Sequence, residues 1–386
     1  MVINYSRHDI QKSDINSVVQ SLRSDWITTG PLIKKFETSI CNITTAKHGV
    51  AVNSATSALH VACLALGLGK GDVLWTCSNT FVASANCGLY CGAKVDFVDI
   101  DPETYNISIK KLKEKLINAK KKKLLPKIII PVAFAGHSCE MKEIKKLSKI
   151  YNFKIIEDAS HALGAKYFNR PVGSCDYSDV TVFSFHPVKI ITTGEGGVAL
   201  TNDYKLANKM RALRSHGIYK TNRKRINNLR PWMFYQKVLG FNYRMTDIHA
   251  ALGISQLKRL SKFVKKRNAI AKIYNKSLTS LPLKLPTVLK HNKSSFHLYV
   301  VQVKKNVQKI SRDYLYKKLK KFKINTNIHY IPVYKHPYFK NLKLNKNKFL
   351  ENNKYFKNAI SLPIYPSMKK KQIQKVINSL KKIFKY

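Results

Sequence analysis

The chain has 386 residues, of which 44% are hydrophobic, and its 70 Lys and Arg residues against 21 Asp and Glu residues give a formal charge of +49. A chain of this length is too long for a single small hydrophobic core and can form two domains. No apolar run is long enough to cross a bilayer, and residues 1–10 lack the apolar centre of a signal peptide. We therefore expect a globular protein of the cytoplasm with no membrane partner.

The positive charge is spread along most of the chain, and most of it is lysine. A basic protein attracts polyanions, so nucleic acid is the first partner to consider. The sequence shows neither a helix-turn-helix nor an aromatic and basic RNA-binding motif, so we expect no nucleic-acid partner. A phosphate-bearing substrate would also be attracted by this charge. None of the seven cysteines forms a C-x-x-C pair, and no metal site is predicted.

Helices and strands alternate over the first two-thirds of the chain. The predicted strands are Val95–Val98, Ile128–Phe134, Lys154–Glu157, Val180–Phe185 and Gly197–Thr201. The predicted helices are Ser57–Leu66, Ile107–Ala119, Met141–Tyr151 and Tyr204–Leu213. Apolar strands between helices predict a mostly parallel sheet that is covered on both faces.

The pattern changes after a long predicted helix, Asp247–Leu278. The elements predicted beyond it are a strand at Phe296–Val303, a helix at Arg312–Phe322, a strand at Ile324–Tyr330 and a helix at Gln372–Phe384. We therefore expect a large α/β domain with an N-terminal segment at residues 1–250. A smaller α+β domain is expected at residues 251–386.

Two loops at predicted strand ends carry groups suited to catalysis. In "IIEDASHALG", a strand delivers Glu157 and Asp158 into a loop with His161, and a carboxylate placed there can hold a proton on a heterocyclic nitrogen. Asp158 is equally suited to a helix N-cap. In "VTVFSFHPVKIITTGEGGVAL", Lys189 lies among apolar residues between a strand and a glycine turn. A partly desolvated lysine has a lowered pKa and can form a Schiff base.

Two further loops precede helices. In "VNSATSALHVACLALG", small residues open a helix at Ala55, where backbone N–H groups form an anion site that the Thr56 hydroxyl can join. Serine and threonine also cap helices for structural reasons alone. In "LGFNYRMTDIHAALGISQL", Asn242 precedes the long helix, and the structural alternative is loop formation with capping by Thr246 or Asp247.

Taken together, the motifs resemble the DegT/DnrJ/StrS sugar aminotransferases, a branch of the fold-type I pyridoxal-phosphate enzymes. The matching runs, in family order along nearly the whole chain, are "TTGP", "NSATSAL", "TFVASANCGLYCGA", "EDASHALGA", "SFHPVKIITTGEGG", "RSHGI", "NYRMTDIHAALG" and "HYIPVY". The resemblance implies the type I α/β fold, with a mostly parallel central sheet between helices. It also implies pyridoxal 5'-phosphate as cofactor and a homodimer with shared active sites.

The resemblance assigns roles to the matching positions. Lys189 would form the Schiff base and move protons, and Asp158 would keep the pyridine nitrogen protonated. The other implied cofactor contacts are Ala55, Thr56 and Ser184 at the phosphate, Phe81 and His161 at the ring, and Asn242 from the neighbouring subunit. Relatives contact the nucleotide sugar at the places that match Tyr5, Thr28, Ser54, His329 and Tyr330.

Three runs are most similar to the pseudaminic acid branch of the family: "FSFHPVKIITTGEGG", "LGFNYRMTDI" and "ISLPIYP". This implies transfer of the glutamate amino group to C-4 of a UDP-linked 4-keto-6-deoxy-N-acetyl-hexosamine. A C-3 or other sugar aminotransferase shares these motifs. Sugar dehydratases of the family have histidine in place of the Schiff-base lysine, so Lys189 argues against them. A non-catalytic regulator or nucleic-acid binder on the same fold is the distant alternative, favoured only by the charge.

Overall fold

The computed structural model describes residues 2–219, 232–304, 310–342 and 348–385. Its strands in these ranges are, in chain order, β1 (His48–Val52), β2 (Val73–Cys77), β3 (Lys94–Val98), β4 (Ile128–Ile130), β5 (Lys154–Asp158), β6 (Lys166–Tyr167), β7 (Arg170–Pro171), β8 (Val180–Ser184), β9 (Gly197–Thr201), β10 (Leu283–Lys284), β11 (Asn292–Lys293), β12 (Tyr299–Val303) and β13 (Ala359–Leu362). A seven-stranded sheet in the order β1-β9-β8-β5-β4-β2-β3 forms the centre. Strands β8, β5, β4, β2 and β3 are parallel, whereas β9 pairs antiparallel with both β8 and β1.

Helices pack against this sheet and against a smaller one. In the same ranges they are α1 (Lys12–Leu22), α2 (Pro31–Thr44), α3 (Ala55–Ala65), α4 (Ala83–Tyr90), α5 (Ile109–Lys121), α6 (Met141–Tyr151), α7 (Tyr204–Leu213), α8 (Asp247–Leu257), α9 (Leu260–Leu278), α10 (Arg312–Lys321), α11 (Leu350–Asn358) and α12 (Lys370–Phe384). Short 3-10 helices occur at Phe134–Gly136, Val333–Lys335 and Pro337–Leu342. None of these helices combines the length and the apolarity needed to cross a bilayer.

Strand β4 shows why the central sheet is buried on both faces. Ile128, Ile129 and Ile130 are all fully buried. Because successive side chains of a strand point to opposite faces, Ile128 and Ile130 pack into one apolar cluster and Ile129 packs into another. A strand with water on one face would alternate apolar and polar residues, whereas this one is apolar throughout.

The smaller, antiparallel sheet has the order β10-β12-β13. It packs against α9, α10 and α12 through one apolar cluster that includes Tyr274, Tyr299 and Phe384. Ile3 joins this cluster, so the start of the described chain is anchored beside the smaller sheet. A third small sheet has the order β11-β6-β7.

The expected α/β architecture is confirmed, and most predicted elements are present within a few residues of their expected bounds. The long helix predicted from Asp247 is instead divided into α8 and α9 near Arg259. The strand predicted at Ile324–Tyr330 is wrong, because this segment pairs only through isolated bridges at Ile324 and Asn327. The domain division at residue 250 stays a prediction; α8 runs across it and packs against α1 and α2.

Candidate active site

A cavity of about 560 Å³ lies at the carboxyl ends of β5 and β8, beside the first turn of α3. Open α/β sheets commonly bind ligands at this edge. The structure places most of the predicted site residues on the cavity wall: Tyr5, Ser54, Ala55, Thr56, Phe81, Asp158, His161, Ser184, Lys189, His329 and Tyr330. Residues far apart in sequence therefore form one site.

Thr28 and Asn242 do not line this cavity. Both side chains are exposed, Thr28 in an isolated bridge to Thr246 and Asn242 in one to Ser215. The role expected for Asn242, at the cofactor of a neighbouring subunit, stays a prediction. The structural alternative for this loop, helix capping, is found at two nearby residues. Thr246 caps α8, and the Asp247 carboxylate accepts hydrogen bonds from backbone N–H groups at the start of α2.

Lys189 lies in the turn that follows β8, where its backbone N–H donates to the carbonyl of His186 at 2.9 Å. Burial lowers the pKa of Lys189 to about 8, and the negative charge of Asp158 opposes this shift. An amine with this pKa is neutral in a usable fraction of molecules near neutral pH, and only the neutral amine is a nucleophile. The surroundings of Lys189 therefore suit Schiff-base chemistry.

Asp158 is the last residue of β5, and its carboxylate is held on both oxygens. The Ser84 hydroxyl donates to Oδ2 at 2.6 Å, and the backbone N–H of Ser160 donates to Oδ1 at 3.1 Å. Both Asp158 and Ser84 are buried. The two hydrogen bonds fix the orientation of this carboxylate in the cavity wall, and the role expected for Asp158 at a ring nitrogen stays a prediction.

His161 is fixed by hydrogen bonds on both ring nitrogens. The backbone N–H of Ala135 donates to Nδ1 at 3.3 Å, so the proton of the neutral ring is on Nε2, which lies 3.0 Å from the Tyr330 hydroxyl. Burial lowers the pKa of His161 well below its ordinary value, and the charge of Lys189 adds to this. His161 is therefore a neutral donor to Tyr330, and the hydroxyl proton of Tyr330 is left for another acceptor.

The first turn of α3 forms the remaining wall of the cavity. Ser54 is its N-cap and accepts from the backbone N–H of Ser57 at 3.1 Å, so the structural alternative holds at Ser54 although it also lines the cavity. Gly197 of β9 faces this turn, and a Cβ at that position would lie 2.5 Å from the Ala55 nitrogen and the Ser54 carbonyl. The glycine thus lets the start of the helix approach the sheet edge, where its N–H groups can bind an anion.

Three residues that the sequence left unassigned also lie here: Thr80 and His297 line the cavity, and Ser84 contacts Asp158 behind it. His297 lies with its ring centroid 4.4 Å from that of His161 and is buried. Ser84 belongs to the run "TFVASANCGLYCGA", in which the resemblance implies a role only for Phe81. Its signal was available, since a hydroxyl in a buried helix must find a hydrogen-bond partner.

The sequence model of the DegT/DnrJ/EryC1/StrS aminotransferase family matches residues 8–381. The chain belongs to this family. A DegT-family relative from Campylobacter jejuni, named UDP-4-amino-4,6-dideoxy-N-acetyl-beta-L-altrosamine transaminase, is 38% identical over 98% of this chain and 96% of its own.

Solved structures of the DegT family superpose closely on this chain. Helicobacter pylori PseC, described as an aminotransferase involved in the biosynthesis of pseudoaminic acid, has a TM-score of 0.91 and 31% identity, with 100% of both chains covered. The putative sugar aminotransferase Spr1654 of Streptococcus pneumoniae, in its PMP form, has a TM-score of 0.89 and 28% identity, with 99% of both chains covered. The fold-type I assignment is confirmed by these similarities.

DegT-family aminotransferases use pyridoxal 5'-phosphate, and Spr1654 is known in both PLP and PMP forms. The cavity fits this cofactor in three respects. It offers an amine of lowered pKa at Lys189, a hydrogen-bonded carboxylate at Asp158, and a helix start that Gly197 brings against the sheet. These groups match an aldehyde, a protonated ring nitrogen and a phosphate, respectively.

Proposed function

We propose that this aminotransferase moves the amino group of glutamate to C-4 of a UDP-linked 4-keto-6-deoxy-N-acetyl-hexosamine. The observation that carries the proposal is that Lys189 and Asp158 line one cavity with the start of α3. The choice of sugar rests on the 38% identity to the altrosamine transaminase and on the similarity to PseC. The choice of glutamate rests on the family resemblance of the sequence.

Pyridoxal phosphate, when bound, withdraws electrons from the carbon that bears the amino group. In the proposal, Asp158 holds the proton on the ring nitrogen, because its carboxylate is itself held in place by Ser84 and by the N–H of Ser160. The Lys189 amine takes a proton from the donor carbon and returns it to the cofactor. Its pKa of about 8 suits this task, since proton transfer is most effective when the pKa is near the working pH.

The remaining site residues are proposed to bind the cofactor phosphate, the cofactor ring and the sugar. Ala55, Thr56 and Ser184 are proposed to bind the cofactor phosphate at the start of α3 and the end of β8. Phe81 and His161 are proposed to flank the ring. The proposed sugar contacts that line the cavity are Tyr5, Ser54, His329 and Tyr330. Thr28, also named by the resemblance, does not line it, and its contact with the sugar rests on the resemblance alone.

We propose further that the enzyme works in the cytoplasm as a homodimer whose partner completes each site. Large apolar side chains are exposed on the single chain, among them Leu239 at 80%, Phe234 at 67% and Phe81 at 56%. An apolar surface of this kind is typical of a protein interface. Phe81 also lines the cavity, so a partner that covered it would close the site and could supply Asn242.

The test is an assay of purified enzyme, loaded with cofactor, with glutamate and the UDP-linked 4-keto sugar. Mass spectrometry and NMR of the product would locate the new amino group, and a 3-keto sugar would serve as the competing substrate. We expect amination at C-4 by the unmodified enzyme and none by Lys189→Ala. Amination of the 3-keto sugar alone would overturn the choice of sugar and leave the reaction class intact.

A further inference from the structure

A directed chain of hydroxyl groups ends on the Asp158 carboxylate. Thr80 Oγ1 lies 2.8 Å from Ser84 Oγ, and Ser84 Oγ lies 2.6 Å from Asp158 Oδ2. The Asp158 carboxylate can only accept, so the single hydroxyl proton of Ser84 is donated to it. Thr80 must therefore donate to Ser84, and the three groups form one donor chain that points at the carboxylate.

This chain is shielded from water. Thr80 is 1% exposed and Ser84 is 0% exposed. A hydrogen bond to a charged group is stronger than one between neutral groups, and burial strengthens it further. With the Ser160 N–H on its other oxygen, the carboxylate is held at both ends in one orientation, with its remaining lone pairs available to the cavity.

We propose that Ser84 is a positioning residue for cofactor binding, which fixes the Asp158 carboxylate for a protonated heterocyclic nitrogen. Thr80 strengthens this contact by donating to Ser84. The inference rests on the proposed role of Asp158 at the ring nitrogen. It predicts that Ser84 affects only those ligands that present such a nitrogen, although Ser84 itself does not touch the ligand.

The experiment compares two ligands on cofactor-free protein: pyridoxal phosphate, and its 1-deaza analogue, in which a C–H group replaces the ring nitrogen. Dissociation constants are measured by titration for the unmodified protein and for Ser84→Ala. We expect the variant to bind pyridoxal phosphate about tenfold or more weakly, as for loss of a hydrogen bond to a charged group, and to bind the deaza analogue as the unmodified protein does.

Ser255→Ala is the matched control. Ser255 of α8 is also buried and donates to a buried carboxylate, Asp14 Oδ1 at 2.7 Å, but Asp14, unlike Asp158, does not line the cavity. It should leave both dissociation constants unchanged. Thr80→Val keeps the side-chain shape and removes the donor behind Ser84, so a smaller loss for pyridoxal phosphate alone is expected even if Ser84→Ala folds poorly.

Asp158→Asn separates failure of the inference from failure of the proposed function. If Asp158→Asn weakens only pyridoxal phosphate while Ser84→Ala weakens neither ligand, or both equally, the role of Ser84 is overturned and that of Asp158 stands. If Asp158→Asn also changes the dissociation constants of both ligands equally, the proposed place of the ring nitrogen is wrong.

Discussion

Gly197→Ala tests whether the start of α3 binds the cofactor phosphate. The new Cβ would lie 2.5 Å from the backbone of Ser54 and Ala55, so these atoms must move by about 0.9 Å to reach the ordinary separation of 3.4 Å. The obstacle is backbone, which cannot rotate away as a side chain can. We expect the first turn of α3 to be displaced and the free energy of unfolding to fall by about 1–3 kcal/mol.

The substitution should also weaken binding of the cofactor phosphate. Each hydrogen bond to a charged phosphate is worth about 1.5–3 kcal/mol, so misplacing one N–H group should weaken pyridoxal phosphate by about tenfold to a hundredfold. Pyridoxal, which has no phosphate, should bind Gly197→Ala and the unmodified protein alike. Titration of cofactor-free protein with each ligand, together with urea unfolding, measures both quantities.

Gly69→Ala is the control, because no atom lies within 4 Å of the Cβ it would add. It should alter neither affinity. If Gly197→Ala bound pyridoxal phosphate as the unmodified protein does, or if it lost pyridoxal to the same degree, the assignment of the phosphate to the start of α3 would be refuted.

Three other predictions use different parts of the molecule. The rate at which cofactor-free protein reacts with pyridoxal should rise with pH and reach half its maximum near pH 8, because burial lowers the pKa of Lys189 and only the neutral amine reacts. In Asp158→Asn this midpoint should move to lower pH, because the charge that raises the pKa of Lys189 is lost. Mixed dimers of Lys189→Ala and Asn242→Ala chains should regain activity that neither variant has alone, since one site of the pair keeps both residues; a mixture without recovery would contradict the shared site. Arg267→Met should lower the free energy of unfolding in urea by about 3 kcal/mol, because the guanidinium, fully buried, donates to the carbonyls of Phe296, His297 and Ile364; unchanged stability would show that these carbonyls find other donors.

The sequence predicted those parts of the site that depend on strand ends. Asp158 and Lys189 follow apolar strands directly, and the carboxyl ends of β5 and β8 meet because these strands are parallel neighbours. Their meeting in one cavity was therefore foreseeable from sequence. The seven-residue run around Ser54 was likewise placed correctly at a helix start.

Other site residues depend on tertiary contacts, which local sequence patterns do not predict. Ser84 reaches Asp158 because α4, which packs against α3, β2 and β3, begins within hydrogen-bond distance of the end of β5. A helix that is buried nearly all round gives no periodic signal of its orientation. The segment from Ile324 to Tyr330 was predicted as a strand, although three polar residues separate its two isoleucines. Residues 327–330 line the cavity instead, so the segment is held by tertiary packing and not by strand pairing.

The charge of three buried histidines in the cavity wall does not change in mild acid. Burial, reinforced by the charge of Lys189, lowers the pKa of His329 to about 3 and those of His161 and His297 far below the usual histidine range. These rings stay uncharged at acidities that would charge a histidine on the surface. A negatively charged sugar nucleotide would therefore meet these three rings in the same uncharged state at mildly acid pH as at neutral pH.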